Sequence, residues 1–299
     1  MPSGWKGWRS KIRRKLRPEW LLGLEAKVSG SLQLQLQERL RVYRELLERG
    51  GPLPPLAETE FKVFSQNGED GILLYLLALC GWEQRRFLEI GIQDGWECNC
   101  ANLAKHLGWE GWFIEGNPTD AEAARENFRA DPLLQYRKVK VVSSYVTKEN
   151  LSGLLAEHEV REVDLFSLDI DGMDWWVWQA LEGLHPRVVV VEYNSAFGPE
   201  RSVTVPYQPV FDRMEVTPGG LYYGASLQAF VRLGREKGYR FVGCNSSGVN
   251  AFFVREDMAP PLLAAADPAA AFRENTAQAV HGDPERQFQS IAHLELVEV

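Results

Sequence analysis

Between residues 86 and 194 the chain repeats one alternation, and that alternation leaves few folds open. Short apolar runs, "RFLEIG" (86–91), "GWFIEGN" (111–117), "KVVSSYV" (140–146), "VDLFSLDID" (163–171) and "RVVVVEYN" (187–194), are separated by segments of helical character. Those segments are "ECNCANLAKHL", "TDAEAARENFRA", "KENLSGLLAEHE" and "DWWVWQALEGL", and Thr119 is expected to cap the helix that opens "TDAE". Runs that are apolar on both faces need cover on both sides, so strands alternating with helices predict a parallel sheet between two helical layers.

The pattern changes after residue 194. "GASLQAFVRLGREKGY" (224–239) reads as a helix, and "YRFVGCNSSGVNAFFVRE" (239–256) as two strands joined by Asn, Ser and Gly turn residues. That is a β-hairpin, an antiparallel pair closing an otherwise parallel sheet. The expected fold is therefore α/β, a doubly wound, mostly parallel seven-stranded sheet ending in an antiparallel hairpin, with an N-terminal helical extension. Over residues 61–256 this layout resembles the class I S-adenosylmethionine-dependent methyltransferase fold. A dinucleotide-binding Rossmann domain would more often continue with a sixth parallel strand. "FSQNGEDGIL" (64–73), "SLDIDGMDWW", "VVVVEYN" and "YYGASL" together resemble the FkbM-like branch of methyltransferases and its uncharacterised relatives.

Three parts are expected: a basic leader and helical extension (1–58), the methyltransferase-like domain (59–257) and an Ala/Pro-rich tail (258–299). Within the extension, Leu36, Leu40, Tyr43 and Leu47 form a short heptad stripe ended by Gly50-Gly51. That stripe is expected to pack on the main domain or, as the sharper alternative, to form a homodimer contact through residues 36–50. Residues 1–17 carry seven of the 33 Lys/Arg and no acid, which leaves 26 basic against 41 acidic residues, −15, for the remainder. The whole chain is at −8, so nucleic acid is not an expected partner, because phosphate neutralisation needs a basic face. The leader is read as a frayed terminus or as a peripheral membrane contact through residues 1–20, with Trp5, Trp8 and Trp20 as interfacial anchors. Cys80, Cys98, Cys100 and Cys244 lack the C-x2-C pairing of zinc sites and are expected to be buried, reduced thiols of a cytoplasmic protein.

In doubly wound sheets ligands sit at the carboxyl ends of the strands, beside the first strand. There "EIGIQDG" spaces Glu89, Gly91 and Gly95 as acid-x-Gly-x-x-x-Gly, similar to the methyltransferase glycine turn, with Gln93 where a further glycine often stands. The dehydrogenase pattern G-x-G-x-x-G is absent, which weighs against NAD. Glu115 ends the second run, where a carboxylate accepts ribose hydroxyls, and Asn117 follows it. Ser143 and Ser144 end the third, in place to border an adenine or, equally, to serve as simple strand-end polar groups. The resemblance further implies that Ser65, Gln66 and Asp70 lie near the methionine end of S-adenosylmethionine; the alternative for Ser65 is a helix cap.

"SLDIDGMDWWVW" sets Asp169 and Asp171 at alternate positions at the end of the fourth run, so both are expected on one face. Asp174 is expected to cap the next helix. Two adjacent carboxylates on a buried strand need a partner, and Mg²⁺, another cation or a shared proton would serve. Glu192, Tyr193 and Asn194 end the neighbouring run and add oxygen ligands. Metal-dependent O-methyltransferases are similar in placing an acid after strand four and an Asp or Asn after strand five. That likeness makes Asp169, Asp171, Glu192 and Asn194 candidate Mg²⁺ ligands, and Asp171, Asp169 and Asn194 the candidate catalytic set. The alternative is that Asp169 and Glu192 only accept backbone or cofactor hydrogen bonds, Asp169 then counting with the cofactor set. Trp175, Trp176, Trp178, Tyr193, Tyr222 and Tyr223 follow the same strand ends and could flank a sugar or aromatic acceptor, although most should be core. His185 is expected at the opposite end of the sheet. The activity expected is O-methylation of a sugar, polysaccharide or natural-product hydroxyl. Its rival is a non-catalytic, methyltransferase-like protein that binds a nucleotide or a partner.

Overall fold

The computed structural model describes residues 19–134, 137–217 and 219–299, with residues 19–26 as backbone. The basic leader (1–17), with Trp5 and Trp8 of its proposed membrane anchors, thus lies outside the described residues, and of Trp20 only the backbone is described. Helices α1 (Glu19–Glu48), α2 (Leu56–Thr59) and α3 (Glu69–Cys80) lead into β1 (Arg86–Ile90). Then come α4 (Ala101–Leu107), β2 (Glu110–Glu115), α5 (Pro118–Ala130), β3 (Val139–Ser143), α6 (Leu151–Glu157), β4 (Leu165–Leu168), α7 (Asp174–Ala180) and β5 (Val188–Glu192). The rest is β6 (Val203–Thr204), α8 (Arg213–Val216), α9 (Leu227–Glu236), β7 (Tyr239–Cys244), β8 (Asn250–Arg255), α10 (Pro268–Ala271), α11 (Pro284–Ile291) and β9 (Val297–Glu298).

Seven strands form one sheet in the order β3-β2-β1-β4-β5-β8-β7. The first five run parallel, and β8 pairs antiparallel with both β5 and β7. The doubly wound, mostly parallel seven-stranded sheet ending in an antiparallel hairpin, expected from the run pattern, is the fold observed. Strand alternation divides the core in two. Phe87, Phe113, Val188 and Val190 face α1, α3, α4 and α5, whereas Leu88, Ile114, Val189 and Val191 face α6, α7 and α9. Helix α3 is buried along its whole length because α1 covers it, with Leu36, Leu40 and Tyr43 buried and Tyr43 edge-on to Tyr75 at 5.0 Å. The heptad stripe thereby packs on the main domain, the first of the two roles expected of it.

Three details differ from expectation. Helix α5 is capped by Asn117, whose side chain accepts the Thr119 N–H at 2.9 Å, with Pro118 in the first turn; Thr119 is not the cap. Asp174 does not cap its own helix but accepts the N–H groups of Ile170 and Gly172. The Ala/Pro-rich segment from residue 258 is no loose tail. Tyr193 donates its hydroxyl to Arg273 O at 2.6 Å, Ser195 Oγ accepts Asn275 N–H, Ile291 is buried, and β9 pairs antiparallel with β6. Among the described residues no helix is long and apolar enough to cross a membrane. The four cysteines are buried and unpaired.

Candidate functional site

Strand order reverses at β1, and the rule for doubly wound sheets puts a ligand crevice there, outside the ends of β1, β2 and β4. The glycine turn leaves β1 there. Gly91 is at φ +87°, and a Cβ on it would come within 1.5 Å of the Asp169 carbonyl oxygen. Gly95 is at φ +76°, and its Cβ would meet the Phe128 ring at 2.8 Å. Both glycines are therefore required by the approach of protein to protein. Gln93 sits at φ +50°, the left-handed conformation a glycine would take at lower cost.

Glu115 fixes that turn. Its Oε2 accepts the N–H groups of Ile92 (3.0 Å) and Gln93 (2.7 Å), and its Oε1 accepts that of Asn117 (2.8 Å). Glu89, on the opposite side of β1, accepts the N–H groups of Asn99 and Cys100 at 2.7 and 2.8 Å, holding the approach to α4. Burial pushes its carboxyl up to about 7 despite those bonds. So Glu89, expected as a cofactor residue, is an internal anchor. Ser143 is exposed at the end of β3, and Ser144 donates its N–H to Glu115 O. Gln66 is exposed on the loop before α3, its Oε1 3.4 Å from Asn67 Nδ2.

The neighbouring Ser65 and Asp70 form a closed box. Asp70 Oδ2 accepts the N–H groups of Val63, Phe64 and Ser65 together with Ser65 Oγ–H, while Ser65 Oγ accepts Asp70 N–H. Ser65 is thereby tied to the first turn of α3 without being its N-cap, which is Gly68. Glu69, which sequence reasoning passed over, accepts Asn245 Nδ2 and Asn250 Nδ2 and so ties α3 to the hairpin.

The acids beyond β4 and β5 do meet. Carboxylate oxygens of Asp169, Asp171 and Glu192 lie within 4.8 Å of one another. Strand alternation is not the cause, because β4 ends at Leu168 and Asp171 stands at φ +58° in the turn beyond it. Glu192 is buried, its Oε1 accepts the Tyr223 hydroxyl at 3.3 Å, and its Oε2 has no partner. Burial, then the charges of Asp171 and Asp174, push Asp169 well above the ordinary carboxylate range; a bond to Glu192 acts in the opposite direction. Glu192 is raised likewise, by burial and then by Asp169. Each carboxyl of the pair thus favours its protonated form beside the other.

Asn194 bonds to the backbone. Its amide donates to Leu221 O and Tyr223 O and accepts Ala196 N–H, so the group predicted to be catalytic or metal-binding braces the loop before α9 instead.

A cation already faces the cluster, from a segment sequence reasoning missed. Residues 205–217 lie against the ends of β3 and β4. Phe211 N–H donates to Tyr145 Oη at 3.0 Å, Trp176 Nε1–H to Val205 O, and the Tyr207 hydroxyl to Glu149. From α8, Arg213 reaches Asp171 at 2.9 Å and lies 4.6 Å from the centre of the Tyr223 ring. Tyr223 in turn accepts a bond from Gln278 of the C-terminal segment. The only advance signal was the basic residue in "FDRMEV". Of the other aromatics, Trp175, Trp178, Tyr193 and Tyr222 are buried in the cores, and Trp176 is half-buried against Tyr207. His185 is exposed at the far end of the sheet, as expected.

No protein-family model matches the sequence, and no curated protein matches it. Among solved structures, the chain is similar to an O-methyltransferase from Bacillus cereus in complex with SAH, at 21% identity and a TM-score of 0.41, over 73% of this chain and 88% of that one. It is also similar to a putative caffeoyl-CoA O-methyltransferase from Staphylococcus aureus, at 15% identity and a TM-score of 0.42, over 76% and 98%. A third is a putative O-methyltransferase from Klebsiella pneumoniae, at 19% and 0.41, over 72% and 87%.

Proposed function

We propose that the protein is an S-adenosylmethionine-dependent methyltransferase acting on a hydroxyl of a saccharide or natural-product acceptor. One observation carries the reading. At the switch point of the sheet, a glycine turn pinned to Glu115 stands on one side of β1, and a cluster of three carboxylates stands on the other. The first supplies a fixed acceptor for a ribose, the second a proton acceptor for a hydroxyl.

The residues fit the cofactor. Glu115 uses three of the roughly four acceptor positions of a carboxylate on backbone N–H groups, so it is rigid yet keeps one position for a hydroxyl donor. Asn117, Ser143 and Ser144 border the same strand ends. The cofactor supplies a methyl group already activated on a sulfonium, so the protein has chiefly to align the acceptor and take its proton. The Asp169–Glu192 pair, holding one proton and one charge, takes that proton. Asp171, held by Arg213, orients the hydroxyl.

Three hard carboxylate oxygen donors also fit Mg²⁺ or Mn²⁺, and the buried, partnerless Glu192 Oε2 is a free ligand atom for it. Asp169, Asp171 and Glu192 would hold the ion, which would acidify a bound hydroxyl. Arg213 brings positive charge to the same cluster. The four buried thiols accord with a reducing, cytoplasmic compartment.

One observation favours a second reading, a methyltransferase-like protein that binds without catalysis. Both glycines of the turn and most of Glu115 are occupied by the protein itself. Calorimetry with S-adenosylmethionine, followed by transfer of labelled methyl to a panel of saccharides, decides between them. Binding followed by transfer is expected. Binding without transfer to any acceptor would leave the second reading, and NAD binding in place of S-adenosylmethionine would remove both.

A further inference from the structure

The far end of the sheet holds a hollow of about 730 Å³, between α1 and the loops that enter β1 and β2. Four arginines line it, Arg41, Arg44, Arg85 and Arg137, with Trp82 and Trp109 behind them. Only Arg41 is neutralised, by Glu38 and Glu45. Among the described residues, no carboxylate pairs with Arg44, Arg85 or Arg137. The acids of the lining are Glu45, which Arg49 also holds, and Glu48. Four guanidinium groups against two carboxylates make the hollow +2 on a chain of net charge −8.

Each unpaired guanidinium is held by something other than an acid. Arg44 lies 4.4 Å and Arg85 5.6 Å from the centre of the Trp82 ring, which packs edge-on against the buried Trp109. Such contacts place a cation without neutralising it and leave its N–H edge open. The backbone of Arg85 is set at φ +55° in a turn whose three N–H groups, from Glu83, Gln84 and Arg85, all bond to Asp164. Arg137 lies over Gly108, its Nη1 3.3 Å from where a Cβ there would be. Burial holds the His106 imidazole down at about 4, so it adds no charge at neutral pH.

We infer that this hollow is a second binding site, separate from the strand-end crevice, for a small molecule carrying a diphosphate. Guanidinium groups bind phosphate oxygens in pairs, and three of them around one cavity suit a group with several such oxygens better than a single carboxylate. With Trp82 carrying two guanidinia, charge rather than base stacking is the recognised feature. The volume is that of an ordinary small-molecule site, roughly 300–1,000 Å³.

Inorganic pyrophosphate is the probe. Calorimetry at low ionic strength should show one site that weakens with added salt. Arg85→Ala/Arg137→Ala should weaken it by roughly tenfold or more, the scale of losing charged hydrogen bonds, with an unchanged melting temperature because both side chains are exposed. Arg44→Gln, also on an exposed position, should show a smaller loss in the same direction. A leader variant, Lys11→Ala/Arg13→Ala/Arg14→Ala, should keep the site. Absence of binding, equal affinity in Arg85→Ala/Arg137→Ala, or loss only in the leader variant would each overturn the assignment. None of these results depends on methyl transfer.

Discussion

Two aspartates flank strand β4, Asp164 before its first residue and Asp169 after its last, and the protein treats them in opposite ways. Asp164 is saturated. It accepts three backbone N–H groups, from Glu83, Gln84 and Arg85, at 2.7–2.9 Å, and Arg187 lies 3.3 Å from its Oδ1. Those bonds join the entries of β1, β4 and β5 into one corner. Asp169 has acids for neighbours, Asp171 and Glu192, and the unpartnered Glu192 Oε2 lies in the same cluster. The first acid lowers the free energy of the fold, and the second raises it. Carboxylates kept at such a cost at a strand's carboxyl end are where chemistry is expected; the same group at the amino end is architecture.

The largest effect should come from removing the saturated acid. Asp164→Ala strands three N–H groups and takes one partner from the half-buried Arg187, which keeps Glu83 and Cys80 O. Breaking a buried charge pair of this kind costs about 3–5 kcal/mol. Denaturant unfolding measures it. A loss below about 1 kcal/mol, the worth of an ordinary surface contact, would erase the distinction between the two ends.

Asp169→Asn should do the reverse, keeping the fold and losing turnover. Removing the proton acceptor should lower methyl transfer by about 10²–10⁴-fold, the usual contribution of a positioned acid or base. The stability sign follows from the raised carboxyls. Asp169 and Glu192 keep a proton in the folded state at pH values where the unfolded chain has lost it. Their contribution is fully present below pH about 4, the unfolded value, and is lost as pH rises through the raised folded values. Asparagine at position 169 removes one of the two, so the variant should gain on the wild type as pH increases. Melting temperatures across pH 4–8 that run parallel for both proteins would show that the pair does not share a proton.

How much of this was legible follows from what each residue needs. The sheet could be read because its strands are buried on both faces, and unbroken apolar runs have few other uses. Asp169 and Glu192 stood out for the same reason, as charges inside such runs. The bonds of Asn194 could not be read, because an amide that bonds three backbone groups is spelled like one that binds a metal. The Asn117 cap was available from Pro118, which favours the first helical turn, yet Thr119 drew the assignment. Glu69 could not be read at all, since its partners Asn245 and Asn250 lie 176 and 181 residues away. Arg213 was hidden too. Its segment, "VPYQPVFDRMEV", has no periodicity and is set by contacts with Tyr145, Trp176 and Glu149.

The crevice itself is probed by Glu115→Ala. The substitution should weaken S-adenosylmethionine by about 2 kcal/mol, the scale of a hydrogen bond to a charged group, and loosen the turn at Ile92 and Gln93. Calorimetry reads the first and hydrogen exchange at those two amides the second. Faster exchange with full affinity would make Glu115 a purely internal anchor, like Asp164.

The smallest effect on stability, and the sharpest on the comparison, is expected at Arg213. Its ion pair with Asp171 is partly exposed, at 30% and 52% for the two side chains, so solvent screening leaves it about 0.2–1 kcal/mol. Arg213→Ala should therefore unfold almost as the wild type does. The cluster should respond more. Arg213 opposes the rise of both Asp169 and Glu192, so without it the two carboxyls move further up and the acid limb of the pH–rate profile shifts to higher pH. A divalent ion would also meet three carboxylates with no resident cation, so Mn²⁺ should bind more tightly to Arg213→Ala than to the wild type. Arg213→Lys, which keeps the charge but not the planar fork, should fall between them. If the pH profile and the Mn²⁺ affinity both stay as in the wild type, Arg213 only clips the segment to the sheet. The acids would then be as fully provided for by their own protons as Asp164 is by its N–H groups, and the contrast between the two ends would no longer rest on charge.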